Sequence, residues 1–401
     1  MDHGEHGTNG RGRARRALIA GAGIAGLATA TRLGRIGWET LIVERAPGRR
    51  SSGYLVNLVG PGYDAAEQLG ILPELEARDL GTFTSILVKA DGRHKFAVPQ
   101  SVVQAALGGR AVTVFRGDLE SALYRAVQDD IEIRFATTVA RVEDGDDGVS
   151  VTLSDGSTER VDLLVGADGL HSGVRAAVIG AERDLRVDLG LVVAAFPLDD
   201  APASVPDASG TTFIGPGRTA AVINLGSERS SAFFTYRCPD PDAELARGAA
   251  DALAAAFGDL GGGVPDALRQ LAANPSAAYF DSVSQIVADR WSSGRVVLLG
   301  DAAWCVTLFA GYGATLAMTG ADRLGTALED AADIGVTAAL DRWEAALRPT
   351  ITKRQAAARA GVRQYAPPTQ AHVWLTDMTM RAMLIPAVRR LVEKQLHRAN
   401  R

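Results

Sequence analysis

The sequence predicts an α/β protein built around a parallel sheet, and three observations carry that prediction. The apolar run of residues 17–20 leads straight into a glycine turn, after which residues 24–36 have the apolar spacing of a helix. A second apolar run, residues 296–299, meets another glycine turn far along the chain. Between them lie short alternating segments divided by Asp-Gly turns, which are typical of antiparallel strands. We therefore expect a doubly wound sheet with a β-meander insert, and a separate antiparallel sheet.

Composition and charge exclude several classes of protein. The 401 residues are 47% hydrophobic and 22% charged, which fits a globular protein, and the net charge of −5 argues against a nucleic-acid partner. Cys238 and Cys305 are the two cysteines, so neither a disulfide framework nor a CxxC metal site is expected. Residues 1–16 lack the apolar core of a signal peptide, and no stretch approaches the roughly 20 apolar residues of a membrane span. We expect a disordered leader, no metal, no membrane partner and a cytoplasmic location.

The first glycine turn, GAGIAG at residues 21–26, lies between two apolar runs. Gly21 allows a tight turn, Gly23 lets the backbone approach a pyrophosphate, and Gly26 lets the following helix lie close to the strand. Glu44 ends the second run and can accept hydrogen bonds from a ribose. An ordinary glycine-rich turn is the alternative. The order strand, turn, helix, strand and acid favours dinucleotide binding, without separating NAD from FAD.

Other segments place polar residues after buried strands. One strand leads into GADGLHSGVR at residues 166–175, and another leads into Gly300 and Asp301. Ligands of a doubly wound sheet bind beyond the carboxyl ends of its strands, where Asp168 and Asp301 are expected to lie. Taken alone, Asp168 would be a helix cap or a turn former, but the two glycine motifs make a ligand contact the favoured interpretation. Arg116, which follows a predicted strand, is either a solvated loop arginine or a contact to a bound cofactor.

Together these segments resemble a known family. GAGIAG with Glu44, the segment at residues 116–119, GADGLHSGVR and RVVLLGDAA are similar to motifs of the single-component FAD-dependent aromatic hydroxylases. These are the class A flavoprotein monooxygenases, typified by para-hydroxybenzoate hydroxylase and by the tetracycline-modifying monooxygenases. The resemblance runs from about residue 15 to about residue 347, and its specificity lies in the order and separation of the motifs.

The resemblance implies that FAD is the cofactor and NAD(P)H the co-substrate. It implies that glycine turns and acids hold the pyrophosphate and the sugars, while backbone N–H groups near residues 311–313 face N1 and O2 of the flavin. Arg116 would reach the flavin side, and Asp168 would touch FAD and the path of NAD(P)H. The implied cofactor-binding residues are Gly21, Gly23, Ile24, Ala25, Gly26, Glu44, Arg45, Arg116, Asp168, Gly300, Asp301, Gly311, Gly313 and Ala314.

The reaction that the resemblance implies begins with hydride transfer from NAD(P)H to FAD. Addition of O₂ then gives a C4a-hydroperoxyflavin, which delivers one oxygen atom to the substrate by hydroxylation or epoxidation. The expected substrate is a sizeable apolar aromatic or polyketide-like metabolite of secondary metabolism. Because the flavin carries the chemistry, no catalytic side chain is expected.

Two residues depart from the family pattern. Trp304 stands where members commonly carry His, and Leu308 stands where they commonly carry a Pro beside the flavin. A non-redox FAD-scaffolded cyclase of a polyketide or polyene therefore stays open, as does a plain NAD-dependent dehydrogenase that uses only the first motif. Trp304 is either a core aromatic or a wall of the substrate pocket. The residues expected to line that pocket are Trp304, Leu308, Phe309, Phe234 and Tyr236.

The domain boundaries follow from where the two kinds of strand pattern alternate. We expect a leader at 1–16, followed by a Rossmann-like FAD-binding domain assembled from residues 17–78, 106–184 and 285–365. An antiparallel-sheet substrate domain takes residues 79–105 and 185–284. Residues 366–401 form a C-terminal helical segment, expected to pack across the two domains. A monomer or a homodimer is expected.

Overall fold

The computed structural model describes residues 14–49, 54–227, 229–307, 309, 311–329, 331–382 and 384–385. Most of the predicted leader lies outside these residues, and its last residue, Arg16, already belongs to the first strand. The strands are β1 (Arg16–Ala20), β2 (Glu39–Val43), β3 (Leu55–Val59), β4 (Thr84–Val88), β5 (His94–Val98), β6 (Ala111–Phe115), β7 (Glu132–Arg134), β8 (Val139–Gly145), β9 (Gly148–Leu153), β10 (Thr158–Val161), β11 (Leu163–Gly166), β12 (Arg186–Leu198), β13 (Ser209–Gly215), β14 (Arg218–Asn224), β15 (Ser230–Arg237), β16 (Tyr279–Ile286), β17 (Ser292–Ser293) and β18 (Val296–Leu298).

Helices follow most of the strands and cover both kinds of sheet. They are α1 (Ile24–Arg35), α2 (Pro61–Gln68), α3 (Leu72–Glu76), α4 (Gln100–Leu107), α5 (Arg116–Arg125), α6 (Gly173–Val178), α7 (Glu182–Leu185), α8 (Pro241–Arg247), α9 (Ala249–Phe257), α10 (Val264–Ala273), α11 (Asp301–Trp304), α12 (Gly313–Glu329), α13 (Ala331–Ile334), α14 (Val336–Tyr365) and α15 (Gln370–Ala382). No helix of the described residues combines the length and the apolar character that crossing a membrane requires.

The first sheet has the strand order β17-β18-β11-β1-β2-β7, in which β1 runs parallel to both β2 and β11. Its register pairs Ala20 with Val43 and with Gly166, and pairs Gly166 with Leu298. The carboxyl ends of four strands that are far apart in sequence therefore meet at one edge. The segments that follow these strands carry the three sequence motifs, so the fold brings the motifs together.

The second sheet has the order β16-β12-β15-β14-β13-β4-β5 and is mostly antiparallel. Helices α9 and α10 cover one of its faces, where Phe234 and Phe257 are completely buried. Helix α15 lies on the edge of this sheet, where Asp377 forms a 2.7 Å ion pair with Lys95 on β5, and not across the two domains as expected. A three-stranded meander, β10-β9-β8, and a β3-β6 ladder complete the sheets of the described residues. The predicted fold class is confirmed: a Rossmann-like α/β domain with a meander insert, an antiparallel-sheet domain and C-terminal helices.

Candidate active site

A cavity of about 900 Å³ lies between the carboxyl edge of the parallel sheet and the antiparallel sheet. Gly26 and Gly300 lie beside the cavity rather than on its wall. Gly300 faces the side chain of Ala25, which lines the cavity. The remaining residues predicted to bind the cofactor line this one cavity, namely Gly21, Gly23, Ile24, Ala25, Glu44, Arg45, Arg116, Asp168, Asp301, Gly311, Gly313 and Ala314.

The first glycine turn has a geometry that side chains would obstruct. Gly21 has φ of 105°, in the left-handed region, and a Cβ there would overlap the carbonyl oxygen of Ala167. A Cβ on Gly26 would overlap the carbonyl oxygen of Gly21. By contrast, Gly23 opens to the cavity, and the atom nearest to a Cβ there is Nη2 of Arg116 at 3.9 Å. Two glycines therefore shape the turn, and the third leaves space above it.

Two helices begin at the cavity wall. Helix α1 begins at Ile24, and among the described residues no side chain caps its N-terminus. Its first-turn N–H groups have no acceptor within the helix, so they can bind an anionic group in the cavity. Helix α12 begins at Gly313 beside Gly311, and its first turn faces the same cavity. The cavity thus has backbone donors at two separate places.

Glu44 connects the end of β2 to the glycine turn. Its Oε2 accepts a hydrogen bond from the backbone N–H of Ala22 at 2.8 Å, and its Oε1 accepts one from Ala46 at 2.7 Å. These bonds hold the carboxylate at the cavity wall. Each carboxylate oxygen has a second lone pair, so Glu44 can still accept hydrogen bonds from the hydroxyls of a ribose.

Arg116 is the first residue of α5 and forms a 2.7 Å ion pair with Glu120. Its guanidinium carbon lies 5.7 Å from the ring centre of Tyr54, in cation–π geometry. The interpretation of Arg116 as a solvated loop arginine is wrong, because the residue begins a helix, its side chain pairs with Glu120, and it lines the cavity. Arg116 therefore brings positive charge to the cavity wall.

Asp168 both stabilises the turn before α6 and lines the cavity, so the two interpretations of the sequence apply together. Its carboxylate accepts hydrogen bonds from the hydroxyl of Ser172 at 2.5 Å and from the backbone N–H of Val174 at 3.1 Å, and it also lines the cavity. The N-cap of α6 is Ser172, whose hydroxyl accepts a hydrogen bond from Arg175 N–H. Asp168 thus connects the turn to the start of α6 and also lines the cavity.

Asp301 begins α11 at the end of β18, and its side chain is exposed to the cavity that it lines. Burial raises the pKa of this carboxyl group, and the charge of Arg116 and a hydrogen bond from Cys305 oppose the shift. Burial also raises the pKa of the Cys305 thiol well above its usual range. Asp301 is therefore an acceptor that faces the cavity, and a hydrogen-bond donor from a ligand would stabilise its charged form.

Sequence reasoning missed a pair of tyrosines in the cavity. The rings of Tyr54 and Tyr279 lie 5.9 Å apart at an angle of 48°. Burial raises the pKa of Tyr54 to about 12 and that of Tyr279 well above its usual range, so both phenols stay protonated at neutral pH. Tyr54 precedes β3 and Tyr279 begins β16. No local pattern distinguishes either residue from any other tyrosine.

His171, to which the sequence assigned no role, connects the two domains. Its Nδ1 lies 3.0 Å from Glu182, and its Nε2 lies 3.5 Å from Asp281 on β16. The hydrogen bond with Asp281 raises the pKa of His171, with Glu182 adding to the shift and partial burial opposing it. His171 and Asp281 both line the cavity, so this contact closes one side of it.

Trp304 is a core residue and not a wall of the pocket. It is 2% exposed, and its ring centre lies 4.7 Å from that of Trp291 and 5.8 Å from that of Trp343. The backbone of α11 directs the Trp304 side chain towards α12 and away from the cavity, with Gly320 directly beside it. The prediction of Trp304 as a pocket residue is therefore wrong, and the alternative of a core aromatic is correct.

The predictions for Phe234 and Tyr236 as pocket residues are also wrong. Phe234 is completely buried between Phe196 and Phe257, with ring centres 5.8 and 4.9 Å away. The hydroxyl of Tyr236 donates a hydrogen bond to Glu244 at 2.9 Å on the same helix-covered face. Both side chains share one face of β15, as the alternation of a strand requires, but α9 and α10 cover that face. The cavity lies on the opposite side.

The opposite face of β15 presents Phe233. This residue packs with Val193 and Val283, which line the cavity, and its ring centre lies 6.3 Å from that of Phe309. Phe309 in turn stacks on Tyr365 at 4.4 Å, so it supports the cavity rather than lining it. Leu308, the remaining predicted pocket residue, lies outside the described residues.

A strained residue lies between Asp301 and Gly311. Thr307 has φ of 81°, a left-handed conformation that β-branched residues rarely adopt, and it lines the cavity. Such a conformation costs about 1–3 kcal/mol and is maintained only where the surrounding structure enforces it. The strained backbone lies on the cavity wall, where it shapes the space available to a ligand.

Comparison with known proteins identifies the family. A family model described as "FAD binding domain" matches residues 15–358. The flavin-dependent monooxygenase eupH of Phoma sp. is 32% identical over 382 residues, which are 87% of this chain and 87% of that protein. The chain belongs to the class A family of FAD-dependent monooxygenases. It is an FAD-dependent oxidoreductase. An uncharacterised protein of Mycobacterium tuberculosis is also 32% identical, over 79% of this chain and 85% of its own length.

Solved structures of this family have the same architecture. The tetracycline destructase Tet(55) matches with a TM-score of 0.78 at 25% identity, covering 96% of this chain and 97% of its own. Klebsiella pneumoniae HpxO, complexed with FAD and uric acid, matches with a TM-score of 0.78 at 23% identity, covering 95% of this chain and 96% of its own. The second likeness concerns the fold alone.

The residues of the cavity fit FAD. At Gly21 and Gly26 a Cβ would overlap backbone atoms, so both positions require glycine. Open space lies above Gly23, and the uncapped N–H groups of α1 face that space. The carboxylate of Glu44 lies one strand away, where a ribose attached to the pyrophosphate can reach it. At the other end of the cavity, Asp301 and the first turn of α12 supply an acceptor and further backbone donors.

Proposed function

We propose that this protein uses NAD(P)H and O₂ to insert one oxygen atom into a sizeable apolar aromatic or polyketide-like small molecule of secondary metabolism. One observation carries the proposal. A single cavity joins a backbone cradle of glycines and helix N-termini to an aromatic and aliphatic wall from the antiparallel sheet. Bound FAD supplies the redox and oxygen-transfer chemistry. The chain's own residues therefore bind, orient and exclude water.

In this proposal each half of the cradle binds one part of FAD. The N–H groups of the first turn of α1 bind the pyrophosphate above Gly23, and Glu44 accepts hydrogen bonds from the adenosine ribose. Asp301 accepts hydrogen bonds from the hydroxyl groups of the ribityl chain. The N–H groups from Gly311 to Ala314 would hold the flavin ring and would favour negative charge on it.

The substrate class is supported by the character of the remaining wall. Tyr54, Tyr279, Val193, Phe280 and Val283 border the cavity from the antiparallel sheet and from the segment before β3. Aromatic and branched aliphatic side chains bind apolar rings well and exclude water from them. Among the similar proteins, one is a tetracycline destructase and another, HpxO, is complexed with uric acid. Tetracycline and uric acid are both ring compounds. A cyclic substrate is consistent with both.

The other two functions have less support. A plain NAD-dependent dehydrogenase does not agree with membership of an FAD-binding family that spans residues 15–358. The non-redox cyclase was suggested by Trp304 and Leu308. Because Trp304 lies in the core, its substitution for the family's His gives the cyclase no support from the geometry of the cavity.

The test uses the purified yellow holoprotein. We expect NADPH or NADH to bleach the flavin absorbance under anaerobic conditions, faster when an accepted aromatic or polyketide ligand is present. Under ¹⁸O₂ the product should gain one labelled oxygen atom by mass spectrometry. A flavin that stays oxidised with both nucleotides and every ligand, while a polyene ligand is cyclised, would overturn the proposal in favour of the cyclase.

A further inference from the structure

Two glutamine side chains hold the end of α11 and the segment after it. The three residues that follow Trp304 belong to no helix or strand. The Nε2 group of Gln355 on α14 donates hydrogen bonds to the carbonyl oxygens of Trp304 and Cys305, at 3.2 and 3.4 Å. The Nε2 group of Gln285 on β16 donates one to the carbonyl oxygen of Val306 at 3.3 Å. Three consecutive carbonyl groups are therefore bound by side chains from other parts of the chain.

Gln285 and Gln355, the glutamine pair, form one buried unit. Gln285 is completely buried and Gln355 is 6% exposed. The Nε2 group of Gln285 also donates to the backbone oxygen of Gln355 at 3.0 Å, and that of Gln355 donates to the backbone oxygen of Ile286 at 2.7 Å. Nη1 of Arg359, which is exposed on α14, donates to Oε1 of Gln285 at 2.5 Å. The pair therefore connects α14, β16 and the segment after α11.

The glutamine pair occupies a position where apolar side chains could pack α14 against the protein. One turn earlier on α14, Ile351 does so and is 1% exposed. Burying carboxamides costs free energy that only well-formed hydrogen bonds recover. Buried polar networks also fix one arrangement of the chain around them more strictly than apolar packing does. The chemistry of the pair therefore favours a role in fixing the conformation of the segment over a role in stability alone.

The segment held in this way contains the strained residue of the cavity wall. Thr307 directly follows Val306, and its φ of 81° is unfavourable for a β-branched residue. The Thr307 hydroxyl is buried and has no hydrogen-bond partner among the described residues, so its own side chain does not compensate for the strain. Such a conformation is maintained by the surrounding structure. The carbonyl group of Val306, held by Gln285, is the neighbouring contact that can enforce it.

The glutamine pair acts on the cavity from outside it. Cys305 and Thr307 line the cavity, as Asp301 does at the start of α11, whereas neither glutamine is among the described residues that line it. Along the chain the segment lies between Asp301 and Gly311, both of which are expected to contact FAD. Movement of the segment would therefore change the shape of the wall at the cofactor.

We propose that the glutamine pair positions the wall of the cavity for FAD, so that α14 sets the affinity for the cofactor through this pair. Gln285 and Gln355 are positioning residues, because they act through residues 305–307. Loss of the pair lets Thr307 relax towards an ordinary conformation, and the relaxed segment no longer fits the cofactor. The proposal requires FAD to bind in this cavity, but it does not depend on the oxygen insertion proposed above.

The first measurement is the dissociation constant of FAD, obtained from the flavin fluorescence that appears when the full-length holoprotein is diluted. Gln355→Met nearly keeps the length of the side chain and removes its donors, and it should raise the dissociation constant about tenfold. Ile351→Ala is the matched control on α14. It should lower the thermal midpoint at least as much, because it leaves a void in the core, but should change the dissociation constant less than about twofold.

A milder pair of variants tests the same link at the surface. Arg359→Ala removes the donor to Gln285 and should raise the dissociation constant about two- to threefold. Arg363→Ala, one turn further along α14 and also exposed, removes the same charge and should leave the constant unchanged. Because both side chains are exposed, both variants should fold, and their comparison decides the proposal even if Gln355→Met does not fold.

Coupling to Thr307 is the measurement that a purely structural role would not affect. Glycine readily adopts a φ of 81°, so Thr307→Gly removes the strain. The contacts that the threonine side chain loses are the same in the wild-type and the Gln355→Met backgrounds. At saturating FAD, Thr307→Gly should change the thermal midpoint more favourably in the wild type, by about 2 °C, because only there is the segment held under strain.

Any one of three results would overturn the proposal. The first is an unchanged dissociation constant in Gln355→Met, or thermal midpoints that simply add, which would show that the pair is only a structural contact. The second is an equal rise of the constant in Ile351→Ala, which would show that any loosening of α14 releases the cofactor. The third is equal constants for Arg359→Ala and Arg363→Ala, which would refute the link between α14 and the cavity wall.

Discussion

The two sides of the cavity are built in different ways. The side at the parallel sheet is shaped by backbone, namely glycines and helix N-termini, to which the charged side chains of Glu44, Asp168 and Asp301 are added. The side at the antiparallel sheet consists of side chains such as Tyr279, Val193 and Val283. Backbone geometry tolerates almost no substitution at Gly21 or Gly26, whereas many side-chain combinations can line an apolar wall. The comparison explains why one side has a recognisable motif and the other has none.

The largest expected effect is on the backbone side. Gly26→Ala should prevent FAD binding and lower the free energy of unfolding by about 3 kcal/mol or more, because the new Cβ would overlap the carbonyl oxygen of Gly21. Flavin absorbance and denaturant unfolding measure both effects. Gly34→Ala on the same helix is the matched control, since its Cβ would meet only Cδ1 of Ile131 at 4.0 Å. It should stabilise the protein by about 0.5–1 kcal/mol. Similar behaviour of the two variants would contradict the close helix–strand contact.

A pair of adjacent phenylalanines tests the side-chain half. Phe234→Ala should cost about 3–5 kcal/mol of unfolding free energy, because the ring is completely buried between Phe196 and Phe257. Phe233→Ala should cost roughly half of that but should change which ligands accelerate NAD(P)H oxidation, since Phe233 supports the cavity wall. If Phe234→Ala altered ligand selection and Phe233→Ala did not, the orientation of β15 would be wrong.

Substitution of Asp301 should have opposite effects on FAD binding and on the stability of the apoprotein. Asp301→Asn should weaken FAD binding by at least about tenfold, because a charged acceptor that faces the cavity is lost. In the apoprotein the same change should raise the thermal midpoint at pH 8, since burial raises the pKa of Asp301 and the folded state therefore disfavours its charge. The difference should vanish as the pH falls below the raised pKa and wild-type Asp301 becomes neutral. A thermal midpoint that is lower at pH 8 would contradict this account.

The smallest effect is expected where the two sides meet. The pKa of His171 is raised in the folded protein, so its contacts with Asp281 and Glu182 contribute fully below the unfolded value of about 6.5 and are lost as the pH rises through the folded value. His171→Gln should cost under about 1 kcal/mol, because the side chain is half exposed. Arg175 and Arg186, which also contact Glu182, are unchanged and compete for the same carboxylate. Thermal midpoints at pH 6 and pH 9 test this, and a difference that grows with pH would refute it.

Much of the backbone side was predictable because its determinants are local. The order of β1, glycine turn, α1, β2 and Glu44 is written in consecutive residues, and the structure has each element where the pattern placed it. The glycine-acid pair at Gly300 and Asp301 has the same character. Such segments require glycine for steric reasons, so their sequence carries the geometry with it.

The side-chain half could not be predicted in the same way. Alternation along β15 correctly put Phe234 and Tyr236 on one face, but the position of α9 and α10 decided which face is turned from the cavity. The side chain of Trp304 likewise points towards α12, which follows it in the chain. Tyr54 and Tyr279 come from segments more than 200 residues apart and meet only in the folded protein.

The sequence by itself determined the fold class, the family and the cofactor cradle, because strand periodicity and obligatory glycines act over a few consecutive residues. The tertiary structure alone decided which aromatic residues face the cavity, where His171 joins the two domains, and how the glutamine pair holds the segment after α11. Each of these depends on contacts between elements that are distant in the chain, and no local pattern encodes which of two faces a distant element will cover.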